Sequence, residues 1–564
     1  MHLPLLSLII WLPIVSLMIL LLLPASRQYT FKYIVLGTTL LQGLSIGLVL
    51  THGLASTPVE RCSWMHLYLG NLGTLSVDYL VGIDGLNIGL ILLSVLILIM
   101  GVIASWHIKQ CIKTYFALYL LLNTCIMGSF LALDFLLFYI FFEVTLLPIY
   151  VFISIWGGAQ RTQAATKFLL YALLGTVMIL IVLIGLGLSV YDPIATGLHI
   201  GLLTLGEQPS IEQIHTIQNL VQAYKIPTQH MVHSLNITLM SDANNFIPGS
   251  IFGLINVPFI GGQAARLIAF LGLVVGFMIK LAAVPFHSWL PDAHVEAPTP
   301  ISMILAAVLL KIGGYGLMRT AYHIFPEGAI YYAFWIGLLG VCAIIYAALL
   351  ALVAQDLKQM IAYASIAHMG FVLLGLASLT YEGVDGALYQ MISHGLIVTL
   401  LFGVVGVLQH RTQDRGIESY SGLATKMPYY ATIAVVGFFA ALGAPGCSSF
   451  IAEFLIITGA FQARSLPKWM GIAGVVGILL NAIYFVWTMQ RVFFGDFSLR
   501  DSRWKSMLQD LNAREYILFI PLLLLILLLG ICPQLLLNLI TGATNQLVTS
   551  VHTTGRENLD TILP

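Results

Sequence analysis

Charged residues are scarce in this chain: Asp, Glu, Lys and Arg make up only 9% of its 564 residues, whereas 59% are hydrophobic. The 24 basic and 24 acidic residues balance each other, so the composition excludes the basic surface that nucleic-acid binding requires. A soluble protein of this length does not carry so high an apolar fraction. The composition therefore indicates a membrane protein.

Cysteine is also sparse, and its pattern excludes several kinds of site. The six cysteines, at positions 62, 111, 125, 342, 447 and 532, are scattered, and none form a Cys-x-x-Cys pair. This excludes a disulfide framework and the usual iron–sulfur and zinc patterns. No dinucleotide fingerprint follows a predicted strand, and no paired histidine ladder suggests haem. We therefore expect no cofactor or metal in this chain.

Long apolar runs are what the chain does have. Stretches of 18 or more apolar residues recur from end to end, each long enough to cross a hydrocarbon core of ~30 Å. They predict an all-α polytopic membrane protein with about fourteen transmembrane helices. The N-terminal run, 3–23, is too long for a signal-peptide core and is assigned to the first helix. The predicted cores begin near residues 3, 31, 84, 113, 134, 165, 266, 299, 330, 360, 384, 428, 469 and 514.

The loops predict an orientation. With fourteen helices and the N-terminus outside, inside loops hold about twice as many basic residues as outside segments, which predicts that both termini lie outside. This assignment counts Lys358 among the inside loops and Arg266 and Arg319 among the outside segments. Residues 191–262 then form a long polar connection outside, with an amphipathic helix in IEQIHTIQNLVQAYKIP. The connection either caps the outer surface or contacts a neighbouring subunit.

Four ionisable residues interrupt the apolar runs: Glu143, Lys280, Lys311 and Glu453. A charge at the bilayer centre costs at least ~2.5–3.5 kcal/mol on insertion scales. A passive scaffold gains nothing from that cost, so the four residues predict a proton path.

Two of the predicted helices also contain breaks. Pro285 follows Lys280 by five residues, and Pro445 precedes Glu453 by eight. Proline removes an amide donor, and broken backbone at membrane depth is tolerated only where it is buried in protein or faces water. Both breaks therefore place polar backbone beside a charged side chain.

The positions of the breaks suggest an internal symmetry. Helices 4–8 and 9–13 each contain a broken helix in the fourth place, and an odd number of helices inverts the second copy. We expect helices 1–3 in 1–108, a first repeat in 109–325 that includes the 191–262 insertion, a second repeat in 326–500, and a loop and helix 14 in 501–564.

Five motifs, together with the chain-wide pattern, resemble the antiporter-like membrane subunits of respiratory complex I. They are the Glu143 helix, KLAAVPFHSWLPDAHVEAPT from Lys280 to Thr299, Lys311-Ile-Gly-Gly-Tyr-Gly, Ala364-Ser-Ile-Ala-His368-Met-Gly-Phe, and Met391-Ile-Ser-His394-Gly. Where other members of the family have a lysine, this chain has Glu453, which resembles the subunit M (chain 4) branch and its counterpart in photosynthetic NDH-1-type complexes. The long connection at 191–262 departs from the compact form expected in the family.

The resemblance implies roles for these residues. Glu143 would form a switchable pair with Lys280, Lys311 would receive the proton near the centre, and Glu453 would pass it outside. His368 and His394 would either relay it or be hydrogen-bonded core histidines.

The other polar residues of the motifs have different expected roles. For His287 and His294 gating or packing is favoured over relay, and for Asp84 a cap or turn is favoured over a proton exit.

The resemblance also implies partners. These would be neighbouring antiporter-like subunits and a redox arm that holds NADH, FMN, iron–sulfur clusters and quinone, in an energy-transducing inner membrane such as a bacterial plasma membrane. Three alternatives stay open: a subunit of a photosynthetic complex or membrane hydrogenase, an Mrp-type cation/proton antiporter subunit, and a passive structural subunit. The subunits that co-purify with the chain would separate them.

Overall fold

The computed structural model describes residues 4–51, 59–204, 209–253 and 263–562. Leu3 of the first predicted helix, and residues 205–208 and 254–262 of the predicted insertion, lie outside the described residues. Thirteen helices in the described ranges are long and apolar enough to cross a membrane. Two shorter apolar helices, Pro428–Ala441 and Ser448–Gln462, are separated by residues 442–447. If the two short helices are taken as one broken span, the prediction of about fourteen spans is confirmed.

The first half of the described chain contains twelve helices, several of them short. They are α1 (Leu5–Leu22), α2 (Gln28–Thr51), α3 (Ile88–Ala104), α4 (Ile112–Leu131), α5 (Phe135–Val144), α6 (Leu146–Trp156), α7 (Arg161–Ser189), α8 (Pro193–His199), α9 (Ile211–Gln222), α10 (Ile237–Met240), α11 (Gln263–Leu281) and α12 (Trp289–Glu296).

The second half of the described chain continues with thirteen more. They are α13 (Thr299–Ile304), α14 (Leu310–Gly316), α15 (Pro326–Val353), α16 (Leu357–Ser378), α17 (Tyr381–Thr412), α18 (Leu423–Lys426), α19 (Pro428–Ala441), α20 (Ser448–Gln462), α21 (Lys468–Phe493), α22 (Trp504–Met507), α23 (Ala513–Ile531), α24 (Gln534–His552) and α25 (Thr554–Ile562).

We call the face of the bundle that carries the N-terminus of α1 the outer face, and the opposite face the inner face. A three-stranded sheet lies at the outer face: β1 (Val59–Tyr68) pairs antiparallel with β2 (Thr74–Gly82), and β2 pairs parallel with β3 (Val232–Ser234). The sequence did not predict this sheet. A second, two-stranded pairing joins β4 (Tyr420–Ser421) to β5 (Ser498–Leu499).

The sheet ties the polar insertion to this chain's own surface. β3 belongs to the insertion, and Asp192 at its start lies 3.5 Å from Arg61 on β1. The predicted amphipathic helix is α9, whose first turn is closed by a capping box between Ser210 and Gln213. The described part of the insertion therefore packs against this chain's own sheet at the outer face.

Two helices follow the last span and were not predicted. α24 lies against the outer ends of α3 and α17, where the Thr544 hydroxyl donates to the Asp385 carboxylate. α25 continues to the start of α15, where the Asn558 amide donates to Glu327. Only one face of α24 is buried, at every third or fourth residue. The helix therefore lacks the uniformly apolar run that is typical of a transmembrane span.

The most enclosed helices lie at the centre of the bundle. Every residue of the 18-residue apolar stretch of Thr299–Tyr322 is buried, compared with 33% of α1. This central span is not a regular α-helix, because π-helical segments Leu305–Leu309 and Leu317–Tyr322 flank α14 on both sides. Such π segments occur often at functional sites, and Lys311 lies between them.

Both predicted breaks are present. α11 ends at Leu281, and the chain turns through residues 282–288, with Ala282 at a φ of +56°, before α12 begins. α19 ends at Ala441, and Gly443 and Gly446 adopt φ values of +83° and +89° before α20 begins. A smaller interruption at Thr145 separates α5 from α6.

Candidate functional site

Lys280 lies in the last turn of α11, directly before the first break. Its side chain is buried, and its Nζ donates a 3.0 Å hydrogen bond to the Oγ1 of Thr145 at the α5–α6 junction. The Nζ also lies 4.7 Å from the centre of the Phe142 ring, within cation–π range. The ammonium is therefore held by one hydroxyl and one aromatic face.

Glu143 lies two residues before Thr145, in the last turn of α5. Its side chain is only partly buried, and its Oε2 has no hydrogen-bond partner among the described residues. It is within electrostatic reach of Lys280, but in the described part of the chain no carboxylate lies within 4.0 Å of the Lys280 Nζ. The Thr145 hydroxyl therefore lies next to the Lys280 ammonium, in the position expected from the sequence for the Glu143 carboxylate.

Lys311 is completely buried at the centre of the bundle. Its Nζ lies 2.6 Å from the carbonyl oxygen of Ala306 and 2.6 Å from the Nδ1 of His394 on α17. A buried charge is costly unless it is hydrogen-bonded, and both contacts meet that need. The sequence predicted Lys311 as a proton carrier and His394 as either a relay or a core histidine, but it did not predict that the two touch.

A second imidazole continues the line. The ring centres of His394 and His368 lie 5.2 Å apart, and the Nδ1 of His368 lies 2.9 Å from the amide nitrogen of Gln390. A small cavity of about 10 Å³ borders both histidines. That volume is about what one water molecule needs.

Glu453 lies on α20 in the half-helix that follows the second break. Its carboxylate is buried, and its Oε1 lies 3.6 Å from the Nδ1 of His368 while making no hydrogen bond. A Cβ added at Gly443 would lie 2.5 Å from its Oε2. Because Gly443 has no side chain, the break near Pro445 leaves room for the Glu453 carboxylate.

Four of the predicted residues thus form one line through the apolar centre. The line begins at α14, crosses α17 and α16, and ends at α20, and its members are Lys311, His394, His368 and Glu453. Lys280 and Glu143 lie apart from it. α11 and α14 touch at the backbone, since a Cβ at Gly313 would lie 2.8 Å from the Leu281 amide nitrogen, but among the described residues no hydrogen bond joins Lys280 to Lys311.

The structure adds Lys358, which the sequence assigned to an inside loop. That assignment is wrong: Lys358 lies in the first turn of α16 and is fully buried, and its Nζ donates a 2.9 Å hydrogen bond to the carbonyl of Ala297. Asp356 caps this helix through the amides of Lys358 and Gln359. Asp356, a capping residue directly before an apolar run, is the sequence signal that would have placed Lys358 inside the helix.

His294 lies between this lysine and the line. It is fully buried on α12, and its ring stacks on Phe402 at 4.8 Å. Neither ring nitrogen has a hydrogen-bond partner in the part of the chain that the structure describes. It interacts electrostatically with both Lys358 and Lys311. The stacking agrees with the packing role predicted for His294, and the two unpartnered nitrogens add a group that can exchange protons.

The remaining candidates lie outside the line. His287, in the first break, packs edge-on against Tyr346 at 5.3 Å. Asp84 accepts the backbone amides of Leu86 and Asn87 before α3, which is the turn role predicted for it. Within the described ranges, no group of three or more His, Cys, Asp or Glu side chains is arranged to hold a metal ion.

Comparison with known proteins reveals a family. Residues 132–190 and 234–481 match the family described as NADH:quinone oxidoreductase/Mrp antiporter, TM. The chain is 35% identical over 482 residues to NADH-quinone oxidoreductase subunit M of Rhodobacter capsulatus, covering 85% of this chain and 83% of that one. It is 33% identical over 548 residues to the subunit M of Rickettsia bellii, covering 95% and 97%.

A solved structure shows the same architecture. A chain of respiratory complex I from Thermus thermophilus with bound NADH superimposes with a TM-score of 0.75 at 26% sequence identity. The similarity covers 97% of this chain and 99% of that chain.

Proposed function

Because the chain belongs to the family of antiporter-like membrane subunits that includes subunit M of NADH-quinone oxidoreductase, we propose that it is a proton-translocating subunit of such a complex. The observation that carries this proposal is the 2.6 Å contact between Lys311 and His394 in the buried centre of the bundle. Two basic nitrogens at that distance cannot both carry a charge without strong repulsion, so they share one proton.

The line supplies the rest of the route. The Lys311 Nζ donates its proton to the Nδ1 of His394, and the imidazole releases the proton from its other nitrogen, as a neutral ring with two nitrogens allows. The cavity beside His368 and His394 has room for one water to bridge the two rings. The Nδ1 of His368 accepts from the Gln390 amide nitrogen, so the amide must turn its oxygen toward the ring when Nδ1 takes up a proton. His368 then protonates the Glu453 carboxylate, which lies 3.6 Å from this Nδ1, and the proton leaves from Glu453 at the outer face.

Glu143 and Lys280 form the input switch. Burial alone favours the neutral amine of a lysine, and an adjacent carboxylate favours its ammonium. In the described geometry the Thr145 hydroxyl takes the ammonium's hydrogen bond. When Glu143 replaces Thr145 beside Lys280, the lysine holds its proton, and when Glu143 withdraws, the lysine releases it toward Lys311 by way of water.

The inner face supplies the protons. A cavity of about 290 Å³ at that face is lined by His107, His410 and Thr299, among others. Thr299 begins the span that carries Lys311. Lys358 and His294 extend this side of the site toward the centre.

The energy comes from partner subunits. The chain's sequence holds no dinucleotide, haem or iron–sulfur pattern, so NADH, FMN, iron–sulfur clusters and quinone belong to a redox arm, and this chain is one pump module among similar neighbours. Its membrane is an energy-transducing inner membrane with both termini outside. The two broken spans belong to inverted repeats in 109–325 and 326–500.

The test uses Lys311. We expect Lys311→Ala to remove this subunit's share of proton pumping from the purified complex in vesicles. Lys311→Arg should fail equally, because a guanidinium holds its proton at any accessible pH. The measurement is vesicle acidification per NADH oxidised, and unchanged pumping by Lys311→Arg would mean that Lys311 supplies only a fixed charge.

Cation/proton exchange is the second candidate, because the matched family description also names Mrp antiporters. An exchanger would acidify vesicles in response to a sodium or potassium gradient without NADH. Glu453, where the family resemblance gives other members a lysine, favours the first candidate. Co-purification with NADH-binding and iron–sulfur subunits would identify the respiratory complex. Co-purification with ferredoxin-type partners would identify the photosynthetic one.

A further inference from the structure

A column of side chains runs from Lys311 toward the outer face along the same span. Tyr315, Arg319 and His323 follow Lys311 at intervals of four residues, the spacing that places side chains on one helix face. The Nε of Arg319 donates a 2.9 Å hydrogen bond to the Tyr315 hydroxyl, and Arg319 interacts electrostatically with His323. Arg319 therefore lies roughly 10–12 Å beyond Lys311 on the way out.

Arg319 is held rigidly in this position. Its Nη2 donates a 2.6 Å hydrogen bond to the Asp84 carboxylate, and its guanidinium lies 5.2 Å from the centre of the Tyr315 ring. The Tyr315 hydroxyl in turn donates to the carbonyl of Phe130 at 3.1 Å. The sequence assigned Arg319 to an outside segment, but its side chain is only 7% exposed.

Asp84 holds this arrangement from the outer side, where its side chain is 30% exposed. Burial alone would raise the pKa of Asp84, but the charge of Arg319 and the hydrogen bonds from Arg319, Leu86 and Asn87 hold it below its ordinary value. The carboxylate therefore stays ionised and paired with Arg319, which makes it a poor acceptor for a proton that arrives from Lys311.

The column poses a problem for a proton held on Lys311. Tyr315, Arg319 and His323 lead from Lys311 to the outer face along this helix, whereas the proposed route runs sideways through His394. A proton that left along the column would bypass Glu453. Tyr315 and His323 are both groups through which protons can pass, and between them only Arg319 remains charged at any accessible pH. A fixed positive charge in a narrow polar passage excludes protons, as arginine does in water channels.

We propose that Arg319, fixed by Asp84 and Tyr315, is an electrostatic barrier that closes the direct route from Lys311 to the outer face and so directs the proton sideways to His394, His368 and Glu453. This assignment rests on the proposed function. It makes Arg319 a positioning residue for the flow of protons, with no part in carrying them.

The test is a leak measurement that needs no electron transfer. Vesicles containing the assembled complex are given a pH gradient in the absence of NADH, and its passive decay is followed. Arg319→Gln combined with Asp84→Asn removes both charges and keeps hydrogen-bonding groups. We expect the gradient to decay roughly tenfold faster with this double variant. Arg319→Lys, whose ammonium the adjacent Asp84 carboxylate keeps charged, should decay like the unmodified complex.

A second buried ion pair at the outer face provides the matched control. Arg266 and Glu327 lie 2.5 Å apart and are 1% and 0% exposed. Arg266 donates to the carbonyl of Ile324 beyond the end of the column and makes no contact with Tyr315 or Arg319 among the described residues. Arg266→Gln with Glu327→Gln should lower the thermal stability of the complex without a leak. If both double variants leak equally, Arg319 has a structural role only, and the barrier is overturned.

Two further variants separate the outcomes. Lys311→Ala added to the Arg319→Gln/Asp84→Asn variant should restore the slow decay, because the leak passes through Lys311, and a persisting leak would overturn the barrier. If the double variant fails to assemble, the same decay is measured with Arg319→Gln alone. A faster decay supports the barrier, and an unchanged decay overturns it. If the double variant shows no proton leak while pumping by the complex still depends on Lys311, the barrier is overturned and the proposed function stands.

Discussion

The Nζ of Lys311 lies 2.6 Å from the Nδ1 of His394, and neither side chain is more than 4% exposed. The two residues are 83 positions apart in the chain and belong to different helices, α14 and α17. With no solvent to disperse charge, a proton at this contact belongs to one nitrogen or the other. The contact is therefore the point at which a small change in the surroundings moves a proton.

Replacing His394 should stop that transfer. His394→Gln can accept a hydrogen bond from Lys311 but cannot take up and release a proton, and losing a positioned proton carrier typically costs ~10²–10⁴-fold. We expect the ratio of protons pumped to NADH oxidised to fall by this subunit's share. The control is His233→Gln, which changes a buried histidine of the outer sheet bonded to the Leu72 carbonyl and should pump normally. Normal pumping by His394→Gln would exclude a relay.

Thr145 should control the input switch. Thr145→Val keeps the shape but removes the acceptor of the Lys280 hydrogen bond, and an unsatisfied buried donor costs ~1–3 kcal/mol. We expect lower pumping with Thr145→Val and near-normal pumping with Thr145→Ser, measured as acidification per NADH. Thr320→Val removes a hydroxyl bonded only to the Gly316 carbonyl and should have little effect. Equal losses in Thr145→Val and Thr320→Val would leave Thr145 without a special role.

Glu143 and Lys280 should behave as a coupled pair. Glu143→Gln and Lys280→Ala are each expected to reduce pumping sharply while the complex stays assembled. Because each removes the same switch, the double variant should lose no more than either single variant, and a double-mutant cycle measures this. Additive losses would show that the two side chains act independently of each other. Normal pumping by both single variants would show that the pair is structural.

Glu453 should be the last carrier on the line. Glu453→Gln keeps the shape of the side chain but cannot ionise, so it should impair pumping by the complex in vesicles. Glu453→Lys introduces the residue that the resemblance assigns to other members of the family, and we expect it to retain partial pumping. Full pumping by Glu453→Gln would remove Glu453 from the route and shift the end of the line to His368.

The glycines of the second break allow a finer test. Gly443→Ala combines a positive φ with a Cβ 2.5 Å from the Glu453 carboxylate, whereas Gly446→Ala has a similar φ and nothing within 4 Å. Both should lose a similar ~1–2 kcal/mol of stability through backbone strain. We expect only Gly443→Ala to reduce pumping as well. Equal pumping by the two variants, at matched assembly levels, would argue against Glu453 as a carrier.

The sequence by itself determined the membrane class, the number of spans and the two breaks. Each follows from a strong local constraint: a bilayer requires about twenty apolar residues per helix, and proline removes a backbone hydrogen bond from one. Proline alone does not end a helix, since Pro13 and Pro521 lie inside the continuous helices α1 and α23. Lys280, Lys311, Glu143 and Glu453 were found for the same reason, because a charge in such a run is costly and conspicuous. Their roles came from the resemblance to a family.

Only the tertiary structure decided which residues meet. The contacts of Lys311 with His394, Lys280 with Thr145, and Arg319 with Asp84 join helices that are distant in the chain, and no local pattern encodes such pairings. β1 and β2 form a local hairpin that was overlooked among the apolar spans, whereas β3 pairs with β2 across more than 150 residues, which no local pattern encodes. Lys358 was misassigned because one residue at a helix start is exposed or buried according to what packs over it. Helix periodicity places a side chain on a face, and only the packing of the whole bundle supplies its neighbour.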